Sequence, residues 1–287
     1  MALPKIKAFI GSPLGDAEQP FYSALYSGSL EPATTTEFVV TNEYGFRIVF
    51  HGNFTVAGGE VTGGTVTGYD VFSGSTKTLK ASGFSFEAGA FYDAVQNFSS
   101  NTDLFYDIVS VQPFKFVGSK YGDQFDGMDG GDVLVGKGGS DGLYGGAGDD
   151  VIKGGKGQDF LMGGDGSDTL TGGADDDVFF FYLNLTEPTP ATFDKITDFK
   201  HGQDHIGLYV YDGMNDILPP GQLDGKYFHK GTAAETADQH VIYDKKTGKI
   251  YFDADGSGSE AQFLLAKVKA HTKLSADDFY SGTSMIA

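Results

Sequence analysis

The sequence predicts a mainly β chain: a central coil of short parallel strands, an N-terminal β-rich domain before it and a C-terminal β cap after it. Three observations carry that expectation. A period of nine runs without interruption from Gly118 to Phe180, a Thr-, Val-, Phe- and Gly-rich segment precedes it, and a hairpin pattern follows it.

In one register the seven nonapeptides read GSKYGDQFD, GMDGGDVLV, GKGGSDGLY, GGAGDDVIK, GGKGQDFLM, GGDGSDTLT and GGADDDVFF. Position six is always aspartate: Asp123, Asp132, Asp141, Asp150, Asp159, Asp168 and Asp177. Position eight is always large and apolar: Phe125, Leu134, Leu143, Ile152, Leu161, Leu170 and Phe179. A fixed period marks a repeat architecture and takes precedence over local propensity. Glycine at positions one, two and four is expected to carry the backbone through positive φ. A turn of about six residues then points carbonyls inward, and a three-residue strand follows whose middle side chain faces the core. Two nonapeptides make one coil, so turns stack two repeats apart. Stacked aspartates would repel one another without a cation between them, and carboxylates with carbonyls suit calcium better than zinc or copper.

These repeats resemble the glycine- and aspartate-rich repeats of RTX proteins, the calcium-binding parallel β-roll of many bacterial type I secreted proteins. The resemblance implies that carbonyls of positions one to four join the position-six aspartates as ligands. The best-formed sets are then Gly145, Gly146, Gly148 and Asp150; Gly154, Gly155, Gly157 and Asp159; and Gly163, Gly164, Gly166 and Asp168. Gly127, Gly130, Gly136, Gly139, Gly172 and Gly173 extend the pattern. Tyr121 and Asp175 replace the position-four glycine in the end repeats, and Met128 and Lys137 stand at position two. Seven repeats stacked two apart allow about five calcium ions.

The formal charge of −19 is densest in residues 118–180, which hold 13 acids against 4 bases, and this balance excludes a nucleic-acid binder. No cysteine is present, so neither a disulfide framework nor a thiolate metal site exists. The N-terminal stretch MALPKIKAFIGSPLGDAEQ lacks the apolar core of a secretory signal, and no segment reaches the length of a membrane-spanning helix. The resemblance implies export by a type I secretion apparatus that reads a C-terminal signal. That places the protein outside the cell or on its surface, with KLSADDFYSGTSMIA at the end of the signal.

The expected domains are 1–117, 118–182 and 183–287. In the first, Tyr44, Phe46, Ile48 and Phe50 alternate with Glu43, Arg47 and His51, which predicts a strand from Glu43 to His51. Gly58-Gly59 and Gly63-Gly64 are read as turns, with Val56, Val61, Val66 and Val71 on strands between glycine pairs. A helix is expected from Glu87 to Phe98, with Phe91, Val95 and Phe98 on one face. In the last domain, Asp194, Ile196, Asp198, Phe199, Gly202, Asp204 and Ile206 resemble the closing stretch of tandem RTX proteins. Val241 to Phe252 reads as a hairpin turning at Lys246-Thr247-Gly248. Asp253, Asp255, Ser257 and Gly258 match the opening of an EF-hand loop, but position twelve is Leu264, so the stretch reads as a tight acidic turn, with an extra calcium ion there as the alternative.

No catalytic signature is present: no HExxH, no G-x-S-x-G and no phosphate loop. Glu43, Arg47, the chain's one arginine, and His51 are the candidate catalytic groups, set against the plainer reading of a solvated strand face. The expected function is a secreted calcium-binding protein whose N-terminal domain holds a glycan or cell-surface partner. The alternatives are a small enzyme acting on polysaccharide and, less favoured, a membrane-inserting protein.

Overall fold

The computed structural model describes residues 5–8, 29–42, 44–73, 75–96, 113, 115–185, 192–211 and 217–282. Two units make up the chain, Met1–Gly139 and Ser140–Ala287.

The first unit holds strands β1 (Lys5–Ala8), β2 (Ser29–Leu30), β3 (Glu37–Thr41), β4 (Phe46–Ala57), β5 (Glu60–Ser73) and β6 (Thr76–Glu87). Helix α1 (Ala88–Gln96) follows, then β7 (Lys115–Val117), β8 (Gln124–Asp126) and β9 (Val133–Val135). Within this unit one sheet runs β9-β7-β1-β6-β5-β4-β3-β2. Strands β2 to β6 form an antiparallel meander, and β1 joins it to the parallel strands β7 and β9.

Strand β4 starts three residues later than the alternation predicts. Asn42 Oδ1 accepts from the backbone N–H of Tyr44 and of Phe46, so Tyr44 sits in a turn and is 71% exposed. Gly58-Gly59 is a turn as expected, with φ of 66° and 91°, which suits a two-residue hairpin between Ala57 and Glu60. Gly63-Gly64 is not a turn. It lies inside β5, opposite Thr55 and Phe54, and a Cβ on Gly64 would run into the Asn53 carbonyl.

The five-residue valine spacing has a different cause from the expected glycine-pair turns. Val61, Val66 and Val71 all lie on β5 and all are buried. An odd spacing would flip the side chain to the other face, but Thr62 and Thr67 are each an extra residue without a partner in the β4 register. Their hydroxyls donate to the Thr55 and His51 carbonyls. One bulge per five residues therefore keeps every valine inside.

Helix α1 is close to its expected span. The Glu87 carboxylate accepts from the N–H groups of Gly89 and Ala90, which closes the first turn and holds its carboxyl below the usual range. Phe91 and Val95 are buried, and Phe98 lies outside the described residues. Phe91 stands 5.2 Å from Phe50, and Tyr92 meets the edge of Phe38 at 5.2 Å. Phe38 in turn stacks on Phe50 at 4.6 Å, completing an aromatic core between helix and sheet.

The second unit opens with β10 (Gly142–Ala147), β11 (Val151–Lys156), β12 (Phe160–Asp165), β13 (Thr169–Ala174) and β14 (Val178–Asn184). Partners lie 18 residues apart and run parallel: Leu143 with Leu161, Ile152 with Leu170, Leu161 with Phe179. Two nonapeptides thus form one coil. Strands β10 to β13 span six residues instead of the three expected, because positions two and three keep pairing, as in Gly146 with Gly164 and Ala147 with Asp165.

The cap contributes β15 (Asp194–Ile196), β16 (His205–Tyr211), β17 (Gly221–Gln222), β18 (Phe228–His229), β19 (Val241–Asp244), β20 (Lys249–Phe252), β21 (Phe263–Lys267) and β22 (Phe279–Ser281). Within the unit the sheets read β18-β19-β20-β21-β15-β13-β11 and β17-β22-β16-β14-β12-β10. Both sheets of the coil therefore continue into the cap, which leaves no bare edge at the last repeat. The predicted hairpin is β19 and β20, and its turn is held by Asp244, which accepts from the Lys246 N–H and the Thr247 hydroxyl. Val241, Ile242 and Tyr243 are all buried, so β19 is covered on both faces, where alternation predicts one.

Candidate metal centre

Each turn of the coil is shaped by two different demands on glycine. Positions two and four take positive φ, as at Gly146, Gly148, Gly155, Gly157, Gly164 and Gly166. Position one does not. Its glycine is required by close approach: a Cβ on Gly145, Gly154, Gly163 or Gly172 would strike the position-six carboxylate of the same repeat. The expectation of positive φ at position one is corrected accordingly.

Where other residues occupy the positive-φ positions they adopt the strained backbone. Met128, Lys137 and Asp175 have φ of 67°, 82° and 75°. Tyr121 does not, and it stands 49% exposed with the Lys120 ammonium 4.7 Å from its ring centroid.

All seven position-six aspartates are at most 2% exposed. One oxygen of Asp159, Asp168 and Asp177 ties neighbouring coils together. Asp159 Oδ1 accepts from the Asp141 N–H at 2.9 Å, Asp168 Oδ1 from Asp150 at 2.8 Å, and Asp177 Oδ1 from Asp159 at 3.1 Å. The other oxygen, Oδ2 of Asp159, Asp168 and Asp177, is buried and has no hydrogen-bond partner. Burial is the first cause that raises these carboxyls, outweighing the backbone N–H each accepts. Asp159 is pushed up to about 6 and Asp177 to about 7. Asp168 moves up for the same reason.

The ladder continues beyond the repeats. Asp194 Oδ1 accepts from Asp168 N–H at 3.0 Å and Asp204 Oδ1 from Asp177 N–H at 3.3 Å. Both are buried, and Ile196 and Ile206, two residues on, fill the inward position. Burial, followed by the Asp168 carboxylate, raises Asp194. Sequence reading placed these residues in a closing stretch without giving them this role. The signal was the Asp-x-Ile spacing, which repeats positions six and eight of the nonapeptide. It was hidden because the pairing offset grows from 18 to 26 and 27 residues.

Lysines meet turn carbonyls at two places. Lys137 Nζ donates to the Gly118 carbonyl, and Lys200 Nζ to the Gly173 carbonyl, both at 2.6 Å. Beside Lys200, the Asp198 carboxylate accepts from the N–H groups of Gly172 and Gly173 at 3.0 Å. The protein's own charges thus complete the turn after the seventh repeat.

In the first unit the candidate catalytic groups do not form one cluster. Glu43 lies outside the described residues. Arg47 is exposed and stacks its guanidinium 4.5 Å from the Phe72 ring centroid. His51 is four residues along the same strand, roughly 13 Å away at the rise of an extended chain. It lies between two carboxylates that the sequence reading did not single out, Glu37 and Asp70, each 3.1 Å from a ring nitrogen. The cross-strand register of β3, β4 and β5 assembles that trio.

Buried aspartates stacked on glycine turns, with a partnerless oxygen on Asp159, Asp168 and Asp177, define a calcium-binding parallel β-roll. Residues 126–161 and 154–181 match the RTX calcium-binding nonapeptide repeat (four copies), so this segment carries RTX calcium-binding repeats. Among solved structures it is similar to the AlgE6R3 subunit of the mannuronan C5-epimerase from Azotobacter vinelandii. Identity is 28%, over 60% of this chain and 84% of that one, and a TM-score of 0.20 means the two do not superpose as wholes. No curated protein matches the chain.

Proposed function

We propose that the roll is a calcium-gated folding element of a secreted protein, with the N-terminal β-rich region as its surface-interaction module. The observation that carries the calcium assignment is the row of buried, partnerless Oδ2 atoms on Asp159, Asp168 and Asp177. These oxygens and the carbonyls of positions one to four, from Gly145 to Gly173, would hold the ions. Calcium would supply the positive charge that offsets the buried carboxylates. About five ions follow from counting turns two repeats apart, by oxygen-cage chemistry. The Lys137 ammonium on the Gly118 carbonyl competes for the first of these positions.

Where calcium is scarce, carboxylate repulsion and glycine entropy keep the repeats open and fit for passage through a type I secretion apparatus. Where calcium is abundant, binding to the folded state alone draws the coil together. Extracellular calcium modules work at about 10⁻⁴–10⁻³ M, and folding is expected in that range. Circular dichroism across a calcium titration tests this, and equal β content in chelator and in calcium would overturn it.

The partner of the N-terminal module is read as a surface glycan. Size-exclusion chromatography with bacterial and plant polysaccharides separates the readings: co-elution at unchanged polymer length supports binding. The enzyme reading is favoured by one observation, the His51 imidazole between Glu37 and Asp70. Shortened polymer that disappears with His51→Gln would establish it. For membrane insertion, no helix among the described residues is long and apolar enough to cross a bilayer.

A further inference from the structure

Three acceptor oxygens in the cap have no donor. Asp253 Oδ1, Asp255 Oδ1 and Gln262 Oε1 are buried without a hydrogen-bond partner. Native proteins rarely leave such atoms unsatisfied, and an ion or ordered water is the usual reason. The three belong to one place. Strands β20 and β21 pair Phe252 with Phe263, so the next step of the register sets Asp253 opposite Gln262. The Asp255 carboxylate lies close enough to Asp253 to disfavour its charged form.

The surrounding groups hold these oxygens in position. The Asp253 N–H donates to the His240 carbonyl, and His240 Nδ1 donates to the Asp253 carbonyl at 2.7 Å. Asp255 Oδ2 accepts from the Glu260 N–H at 3.1 Å, which leaves Oδ1 for another partner. Gln262 Nε2 donates to the Thr232 carbonyl at 2.8 Å, and this identifies the free end of the amide as the oxygen. A Cβ on Gly258 would strike the Asp255 carboxylate, and a Cβ on Gly256 would meet the Ala237 carbonyl. Asp253 itself is 4% exposed. Burial first, then the Asp255 carboxylate, pushes its carboxyl up. Among the described residues no lysine or arginine pairs with either acid.

Two carboxylates and an amide oxygen at the facing ends of β20 and β21, all acceptors without a donor, call for a cation. Oxygen ligands in an irregular turn suit calcium, whereas magnesium demands near-octahedral geometry. We propose that the Asp253–Gly258 turn is a separate calcium site of the cap, held by Asp253 Oδ1, Asp255 Oδ1 and Gln262 Oε1. It corrects the tight-turn reading: the carboxylate missing at Leu264 is replaced by Gln262 from the facing strand. The site is independent of the roll and would close the β20–β21 end of the cap.

The experiment counts calcium ions per chain on the full-length protein by native mass spectrometry at saturating calcium. The Asp253→Asn/Asp255→Asn double variant should hold one ion fewer than the parent. Asp159→Asn should lower the count through the roll while leaving the cap ion, which keeps the two assignments distinguishable. An unchanged count in the double variant overturns the proposal. Should that variant fail to fold, Gln262→Glu decides: it adds a charged oxygen and should tighten one site by about tenfold, since ligand charge tunes calcium affinity. Unchanged affinity at every site in Gln262→Glu overturns the proposal equally.

Discussion

The roll of the second unit and the β3–β6 meander of the first are both sheets with buried apolar stripes, yet they are stable for opposite reasons. In the meander the buried stripe meets an aromatic cluster from α1, and Phe38, Phe50 and Phe91 supply its own counterpart. In the roll each coil buries one inward side chain per strand together with a full carboxylate per turn. Burying an ionised group without compensation is expensive. A sheet can therefore be self-sufficient or conditional, and on the proposed function position-six aspartate makes this one conditional.

Chelation should separate the two most strongly. Hydrogen exchange in chelator should lose protection at the amides of residues 151–174 and keep it at residues 46–73. Equal loss in both would show that the meander is not self-sufficient. The converse perturbation is Phe91→Ala. Removing that ring should cost about 3–5 kcal/mol of the meander's stability, as for other buried aromatics, and leave the calcium midpoint of the roll where it was. A shifted midpoint would break the distinction.

Acidity should stabilise the metal-free roll. Its metal-free folded state holds protons on Asp159 up to about pH 6 and on Asp177 up to about pH 7. The unfolded chain releases the same protons near about pH 3.9. The folded state thus binds more protons in that interval, and its stability falls as pH rises. Stability conferred by these protons is complete below about pH 4 and lost as pH passes through 6 and 7. In chelator the roll should fold better at low pH than at pH 8, whereas calcium affinity should strengthen as pH rises over the same range. Circular dichroism in chelator at several pH values checks the first, and calcium titrations check the second.

Single glycines sharpen the comparison further. Gly163→Ala places a Cβ against the Asp168 carboxylate and should cost about 2–4 kcal/mol, the upper range of single substitutions. Gly63→Ala meets nothing within 4 Å and should lie between neutral and about 1 kcal/mol stabilising. Met128→Gly should relieve the φ of 67° and stabilise the turn by about 1 kcal/mol. Calcium-loaded thermal unfolding reads all three.

The sequence by itself determined the coil: its period, its inward positions and the aspartates that line its turns. A strict repeat means that each residue's environment is set by residues nine and eighteen away, so local pattern and tertiary contact coincide. The helix at Phe91 and the β19–β20 hairpin were legible for a similar reason, since the backbone hydrogen bonds that form each join residues close along the chain. Tertiary structure alone decided what depended on register between distant strands. Asp194 and Asp204 join the aspartate ladder only because β15 and β16 dock at offsets outside the period. His51 meets Glu37 and Asp70 through the pairing of three strands, and Gly63-Gly64 becomes bulged strand instead of turn. The proposed cap site depends on β20 and β21 meeting antiparallel, with Phe252 opposite Phe263. Composition marks which residues can bind a cation, but strand register chooses which of them are brought together.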